Sequence, residues 1–323
     1  MDLAVIIVSH NSAQWLARCL SSVYARSGGL ELDVVVVDSG STDETVDLVR
    51  REFRDARVVA TENRGFASAN NRGLAVVDAE WVLFLNPDTQ ILSGTFADLI
   101  RAVRAHPTVG LAGVKQLDEN GVLDPTMRRF PSVVRSLSSS LGGERLPFHA
   151  SWAGERVLEL ELYDRETRCD WTVGSFMLVR RAALDDVGGM DERFFLYSEE
   201  TDFCRRIHQA GWYVIHLPQM TILHESSPTA SHPRLNAQMA FARRQYMAKH
   251  FSAARRMAGI AALGLGYGLR SLRPGRAPDA GRRRASSRTA LTTLLGLTQP
   301  PFGYPSTSSA ESEIVGHRER PRA

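Results

Sequence analysis

The sequence predicts an α/β fold built on a mostly parallel, Rossmann-like central sheet. Three observations predict it. Apolar runs of strand length alternate with helical spacings through the first half of the chain. These runs are continuous, as in strands buried on both faces. Each run ends in a polar, turn-forming cluster.

LAVIIV (3–8) is the first strand, and Leu16, Leu20 and Val23 behind it fall at helical spacing. DVVVVD (33–38) is the second. In SGSTDE, Ser41 stands three residues before Glu44, the spacing of a capping box, and opens a helix through Val46 and Val49. RVVA (57–60) is a short third strand, followed by a helix over 66–78, and WVLFL (81–85) is the fourth. Strands alternating with helices imply βαβ units with right-handed crossovers. The stretch 116–169 is less regular, and RRFPS and SLSSSLGG read as loop. WTVGSFMLVRR (171–181) resumes strand character, and RAALDDVGG is a short helix ending at Gly188. Residues 199–210 form a helix stopped by Gly211, WYVIHL (212–217) a strand, and 233–252 a long helix.

Beyond it, AGIAALGLGYGLRSL (258–272) is apolar but holds four glycines, which weaken a helix. It reads equally as a membrane-interface helix or as a helix packed on the domain. From 273 to 323 Pro, Ser and Arg prevail, which predicts a basic, largely disordered tail with at most a short helix at TALTTLLGL.

Composition narrows the function classes. From Arg270 onward ten Arg stand against four acids, or +6; the whole chain is +3, so residues 1–269 carry −3. A mildly acidic body argues against nucleic acid as a partner, and the basic tail suits an anionic surface. The longest charge-free apolar stretch near the C-terminus, 257–269, is shorter than the roughly 20 residues a spanning helix needs. MDLAVIIVSHNS lacks the basic region of a signal peptide, and three cysteines without metal-ligand spacing suit a reducing cytosol.

A sheet of this kind binds ligands beyond the carboxyl ends of its strands. Those ends read Ser9-His10-Asn11, Asp38-Ser39-Gly40-Ser41, Glu62-Asn63-Arg64-Gly65 and Asn86-Pro87-Asp88-Thr89. Any one of these is also what a turn or helix cap needs; four on one sheet edge point to a site. Arg64 has the charge to meet an anion, or is a solvated surface residue. Asn70 and Asn71 sit inside a helix, where asparagine is unfavourable, so Asn70 either faces a ligand or lies on a polar helix face. Farther on, FFLYSEETDFCRR (194–206) crowds Glu199, Glu200 and Asp202 behind an aromatic run. Ser198 reads as the N-cap, the acids as first-turn partners of the helix dipole, and Asp202 as the i, i+4 partner of Arg206. Phe203, Ile207 and Ala210 set the buried face, so the acids emerge from packed aromatic surface.

Taken in order, VIIVSHNSAQWLARCLSSV, VVVVDSGSTDET, ENRGFASANNRG, VLFLNPDT, GSFMLVRR, GGMDERFFLYSEETDFCRRIHQAGW and ILHESS resemble the family 2 inverting glycosyltransferases, over roughly residues 3–225. NRGFASANN, LNPDT and YSEETD resemble the bacterial rhamnosyltransferase branch, whose members add sugars to lipid-linked glycans of the cell envelope. The resemblance implies a GT-A fold over 1–252, with a donor half (1–115) and an acceptor half (116–252). It implies a nucleotide-diphosphate sugar donor, with dTDP-L-rhamnose favoured and UDP- or GDP-sugars as alternatives. The implied acceptor is a lipid-linked glycan at the cytoplasmic membrane surface, which the basic tail would approach.

Carried over residue by residue, the donor-binding set is Ser9, Asn11, Asp38, Ser41, Asn63, Arg64, Gly65, Asn70 and Asp88. Asp88 and His224 are the implied ligands of a divalent metal, Mg²⁺ or Mn²⁺; the usual Asp-x-Asp is here Asn86-Pro87-Asp88, one carboxylate fewer. The Glu-Asp of the family falls on Glu199-Glu200, which makes Glu200 the base, with Glu199 and then Asp202 as alternatives. The helix start is expected to keep Glu200 ionised. A nucleotidyltransferase would need a lysine-bearing glycine-rich loop after strand one, where SHNSAQW stands. A non-catalytic scaffold on the same fold is the other alternative.

Overall fold

The computed structural model describes residues 1–142, 151–225, 232–273 and 279–302. The chain begins with β1 (Leu3–Ser9), α1 (Ala13–Ala25), β2 (Leu32–Ser39), α2 (Thr45–Glu52), β3 (Arg57–Thr61), α3 (Phe66–Leu74) and β4 (Trp81–Leu85). After it come β5 (Thr89–Ser93), α4 (Phe96–Arg104), β6 (Val109–Leu117), β7 (Met127–Arg128) and α5 (Val133–Ser140). Then follow β8 (Thr167–Cys169), β9 (Trp171–Thr172), β10 (Phe176–Arg180), α6 (Arg181–Val187), α7 (Glu199–Gln209) and β11 (Tyr213–His224). Three helices close the described chain: α8 (Pro233–His250), α9 (Ala253–Leu272) and α10 (Ala280–Leu295).

The main sheet has nine strands in the order β3-β2-β1-β4-β10-β6-β11-β5, with β8 also beside β11. Six strands run one way; β10, β5 and β8 oppose them. Both faces are covered. Leu3, Val5 and Ile7 pack on one side with Leu16, Leu20 and Val23 of α1, and Ala4 and Ile6 on the other with Ala67, Phe203 and Ile207. This is why the strands read as unbroken apolar runs. The chain leaves β1 toward β2 and β3, then returns to β4 on β1's other side. A crevice opens at such a reversal.

Several local expectations fail for identifiable reasons. Ser41 caps no helix; α2 begins four residues later with Glu44 at the N-cap position, and no side chain caps it. The helix predicted over 66–78 ends at Leu74. Ala210 lies exposed at the end of α7. The strand predicted at 212–217 continues through Pro218 to His224, with a register irregularity against β6 between Leu217 and Thr221 that accommodates the proline. The serine-rich stretch expected as loop contains α5, because Ser132 at its N-cap accepts from the Arg135 N–H.

The C-terminal part differs most. Residues 280–295, assigned to a largely disordered tail, form α10; its Ala290 and Leu294 pack with Ala240 and Tyr267 while Arg282, Arg283 and Arg288 stay exposed. The apolar stretch 258–272 lies in a continuous helix on the domain. A Cβ on its Gly266 would fall 2.5 Å from Ser140 Oγ, so the glycine lets α9 approach α5 closely. The rest of the predicted tail, 303–323, lies outside the described residues. Among the described residues, no helix is long and apolar enough to cross a membrane.

Candidate active site

The carboxyl ends of β1 to β4 border a cleft of about 390 Å³, lined there by His10, Ser12, Ser39, Asn63, Asn86 and Asp88. Its walls are aromatic: Trp15, Phe66, Phe195 and Phe302. The loops after β1 and β2 are tied to each other. His10 Nδ1 donates to the Ser39 carbonyl at 2.9 Å, the Asn11 N–H to Ser41 Oγ at 2.9 Å, and the Thr42 N–H to Asn11 Oδ1 at 2.8 Å. Asn11 sits at φ 51, in the left-handed region where asparagine is tolerated. Asn11 and Ser41 are thus braces between the two loops and do not line the cleft.

Buried oxygens without partners concentrate at this edge. Ser9 Oγ, Asp38 Oδ1, Ser39 Oγ and Asn70 Oδ1 have none, although Asp38 Oδ2 accepts from the Ser41 N–H at 3.1 Å. Ser9 and Asp38 are paired neighbours across β1 and β2. Orphaned polar atoms are rare in a folded chain, each leaving about 1–3 kcal/mol uncompensated, and their clustering marks a surface built for a polar ligand. Asn70 also donates from Nδ2 to the Phe66 carbonyl at 3.0 Å. Asn71 belongs elsewhere: its amide exchanges two 2.8 Å hydrogen bonds with the Met190 backbone, fixing the GGMDERF loop to α3. Of the donor-binding expectations, Asn63, Gly65 and Asp88 line the cleft; Ser9, Asp38, Arg64 and Asn70 lie around it without lining it.

Asp88 and His224 converge from β4 and β11. His224 Nε2 stands 3.2 Å from Asp88 Oδ1, within ion-pair distance but off the direction of a hydrogen bond, so that carboxylate oxygen is buried without a partner. Gln116 fixes the imidazole. Its Oε1 accepts from Ser175 Oγ at 2.6 Å, while its Nε2 donates to Asp124 Oδ2 at 2.8 Å and stands 3.1 Å from His224 Nδ1. Because Asp124 can only accept, it is the Gln116 amide nitrogen that faces Nδ1, while Nε2 stands 3.4 Å from Asn86 Nδ2. Among the described residues no three His, Cys, Asp or Glu converge as metal ligands.

The second acidic group stands at the start of α7. Two consecutive non-glycine residues precede it in the left-handed region, Tyr197 at φ 71 and Ser198 at φ 66, and Ser198 makes no side-chain cap. Glu199 is 4 % exposed. Glu199 Oε2 and Glu200 Oε2 have no hydrogen-bond partner. Burial, reinforced by the adjacent Glu200 charge, pushes the Glu199 carboxyl well above the usual range. Burial raises Glu200 as well; the N–H groups at the helix start and the charges of Arg243 and Arg128 pull it back in part. The expected dipole effect is therefore outweighed by desolvation. Asp202 differs. Burial alone would raise it, but hydrogen bonds from His250 (2.7 Å), Lys249 (2.6 Å) and Arg206 (2.9 Å) hold it below the carboxylate range, as the anionic hub of an ion-pair network.

Glu200 does not line the cleft itself but borders it. A Cβ on Gly174 would lie 3.7 Å from Phe66 Cε1, on the cleft wall, and 3.8 Å from Glu200 Cβ. The Asn86 N–H donates to the Ser175 carbonyl at 3.0 Å, so one loop joins the Asp88 turn to the Glu200 side.

Sequence reasoning missed Phe302 altogether. It stacks on Phe195 at 5.2 Å and 6° between ring planes, and Arg234 lies 5.0 Å over its ring while donating to the Pro301 carbonyl at 3.3 Å. The segment after α10 therefore returns to form a wall of the cleft. Trp15 was missed as well; its indole donates to Glu225 Oε2 at 3.0 Å, and the Glu225 N–H donates to the Asp88 carbonyl.

A family model described as Glycosyl transferase family 2 matches residues 4–188. An N-acetylglucosaminyl-diphospho-decaprenol L-rhamnosyltransferase of Mycobacterium tuberculosis is 31% identical over 237 residues, covering 70% of this chain and 76% of that protein. Rhamnosyltransferase WbbL of Escherichia coli K12 is 25% identical over 68% of this chain and 82% of its own length. A mannosyltransferase from Pyrobaculum calidifontis, solved in complex with GDP-Man and Mn²⁺, superposes with a TM-score of 0.56 at 21% identity, over 92% of this chain and 88% of that one. At that identity the likeness shows the fold, which is GT-A. The polar edge at the sheet reversal, the buried acidic pair and these matches agree: the chain belongs to glycosyl transferase family 2, and is a glycosyltransferase of its rhamnosyltransferase-like branch.

Proposed function

We propose that the chain transfers L-rhamnose from dTDP-L-rhamnose, with inversion, to a hydroxyl of a lipid-linked N-acetylglucosamine acceptor at the cytoplasmic membrane face. The observation that carries the substrate class is the likeness to the mycobacterial L-rhamnosyltransferase across two thirds of the chain. What supports the chemistry is the position of the acids. Asp88 lies in the cleft at the sheet reversal, and Glu200 borders it behind Phe66 and Gly174.

In this reading the carboxyl ends of β1 and β2 hold the nucleotide through the unpartnered oxygens of Ser9, Asp38 and Ser39. Phe195 and Phe302 exclude water from the sugar side. The acceptor hydroxyl gives its proton to Glu200 as its oxygen bonds the donor C1, while the bond from C1 to the diphosphate oxygen breaks on the opposite face. Burial and the adjacent Glu200 charge raise the Glu199 carboxyl, and in this reading Glu199 holds the proton of the pair and leaves Glu200 as the base. The residues fit a divalent cation that takes most of its ligands from the diphosphate. Asp88 would hold it through the orphaned Oδ1, and His224 through Nε2. Such a cation, when bound, neutralises charge on the departing diphosphate. Saturation-transfer NMR with dTDP-, UDP- and GDP-sugars tests the donor assignment; contact with a UDP- or GDP-sugar in preference to dTDP-rhamnose would overturn it.

Two further results are expected. Asp88→Ala weakens donor binding by ~10-fold or more, the usual worth of a charged contact, and abolishes the response of binding to added Mg²⁺ or Mn²⁺ in titration calorimetry. An unchanged metal response removes Asp88 from the ligand set. Phe302→Ala raises KM for the donor by up to ~10-fold with kcat little changed, because an aromatic wall stabilises ground and transition states alike. A fall in kcat alone would place Phe302 at the chemistry instead.

A further inference from the structure

Fourteen large apolar side chains are exposed among the described residues, and seven of them belong to α5 with its C-cap and to α9. On α9 Met257, Leu265, Leu269 and Leu272 recur at one-face spacing, with exposed Ala261 between them, along ~22 Å of helix. The opposite face, including Gly259, Ala262, Gly266 and Tyr267, is buried in the domain. On α5 Val134, Leu137 and Leu141 form a second exposed stripe. Gly266 against Ser140 holds the two helices together, so the stripes stand on adjoining elements. A monomeric surface rarely gathers so much of its exposed apolar area in one place without a partner.

Charge identifies the partner. Neither helix contains a single acid, and α9 carries exposed Arg255 and Arg256 near its start, with exposed Arg273 at its C-cap. Apolar side chains flanked by arginines suit an interface of acyl chains beneath anionic headgroups. We propose that the paired α5 and α9 faces seat the protein on an anionic lipid bilayer. The basic tail expected from the sequence is then not the main anchor. The inference rests on the lipid-linked-acceptor reading, because an acceptor held in a membrane requires the enzyme to work at that surface.

The test is co-sedimentation of the full chain with phosphatidylcholine vesicles, with and without phosphatidylglycerol. The protein should bind the phosphatidylglycerol vesicles, and less so as salt rises. The double variant Leu265→Glu, Leu269→Glu should lose at least ~10-fold in partitioning, given the burial energy of two leucines. Its thermal unfolding should change little by comparison, since the two side chains are 45 % and 48 % exposed. Leu297→Glu, exposed but off these helices, should partition as wild type. Absence of vesicle binding, or equal binding by the double variant, overturns the proposal. So does a protein that ignores vesicles but forms a dimer broken by the double variant, which makes the face a contact between copies. Transfer to a water-soluble acceptor analogue is read separately: vesicle binding without transfer sinks the acceptor reading and leaves the surface standing.

Discussion

Replacing Glu200 by Gln is expected to lower kcat by at least ~100-fold while donor affinity stays near that of the wild-type protein. Glutamine keeps the volume and the first-turn position but cannot take the acceptor's proton. Glu199→Gln should behave differently, because it mimics the protonated form that burial and the neighbouring charge favour on that side chain; kcat should stay within ~10-fold. The pH profile separates the two roles. Burial raises the Glu200 carboxyl, so the base is protonated at low pH, and kcat/KM climbs as pH rises through a value above the ordinary glutamate pKa of ~4.3. Because folding favours the protonated form of both carboxyls, it is penalised progressively as pH rises from the unfolded value through the raised one. Glu199→Gln should therefore raise Tm at neutral pH, with the gain vanishing below about pH 4. If Glu199→Gln loses the activity and Glu200→Gln keeps it, the roles are exchanged.

The parts of this site that could be read from sequence are those where one local rule sufficed. Continuous apolar runs imply strands covered on both faces, and such strands carry ligands at their carboxyl ends; Asp38, Asn63 and Asp88 follow from that alone. Asn71 was visible as a misplaced helix residue, and its paired hydrogen bonds to Met190 supply the reason. Direction and partnership were not legible. FMLVR is as apolar running antiparallel between β4 and β6 as it would be parallel, so the reversal of β10 left no mark. Ser41 and Glu44 have the spacing of a capping box, but Asn11, 30 residues before Ser41, takes the same loop: its N–H donates to Ser41 Oγ and its Oδ1 accepts from the Thr42 N–H. Phe302 was hidden for a similar reason. Its place depends on α10 docking on α8, and α10 reads as solvated because its arginines are mostly exposed while its buried face mixes Ser286, Ser287 and Thr293 with Ala290 and Leu294.

The second large effect is expected at a position without a side chain. Gly65 has φ 99 and ψ 168, a region nearly closed to other residues, and a Cβ there would lie 2.3 Å from the Phe195 carbonyl oxygen and 2.7 Å from its Cα. Backbone cannot turn aside as a flexible side chain can. The next residue, Phe66, donates its N–H to that same carbonyl at 2.8 Å, so the start of α3 and the loop leading into α7 are joined at one point. Gly65→Ala must push the two apart, losing the hydrogen bond and adding strain, together ~2–4 kcal/mol of stability. The displaced loop carries Phe195, one wall of the cleft, and then Tyr197, Ser198 and Glu200. A shift of about 1 Å in a positioned base is enough for a ~100-fold loss in kcat. Gly188→Ala is the control: φ there is 71, but nothing lies within 4 Å of the added carbon. With ψ at −171 it shares the backbone region of Gly65, so it should lose ~1–3 kcal/mol from strain alone and keep its activity. Equal effects of the two substitutions on kcat would mean that backbone strain alone, and not the α3–α7 joint, sets the position of Glu200.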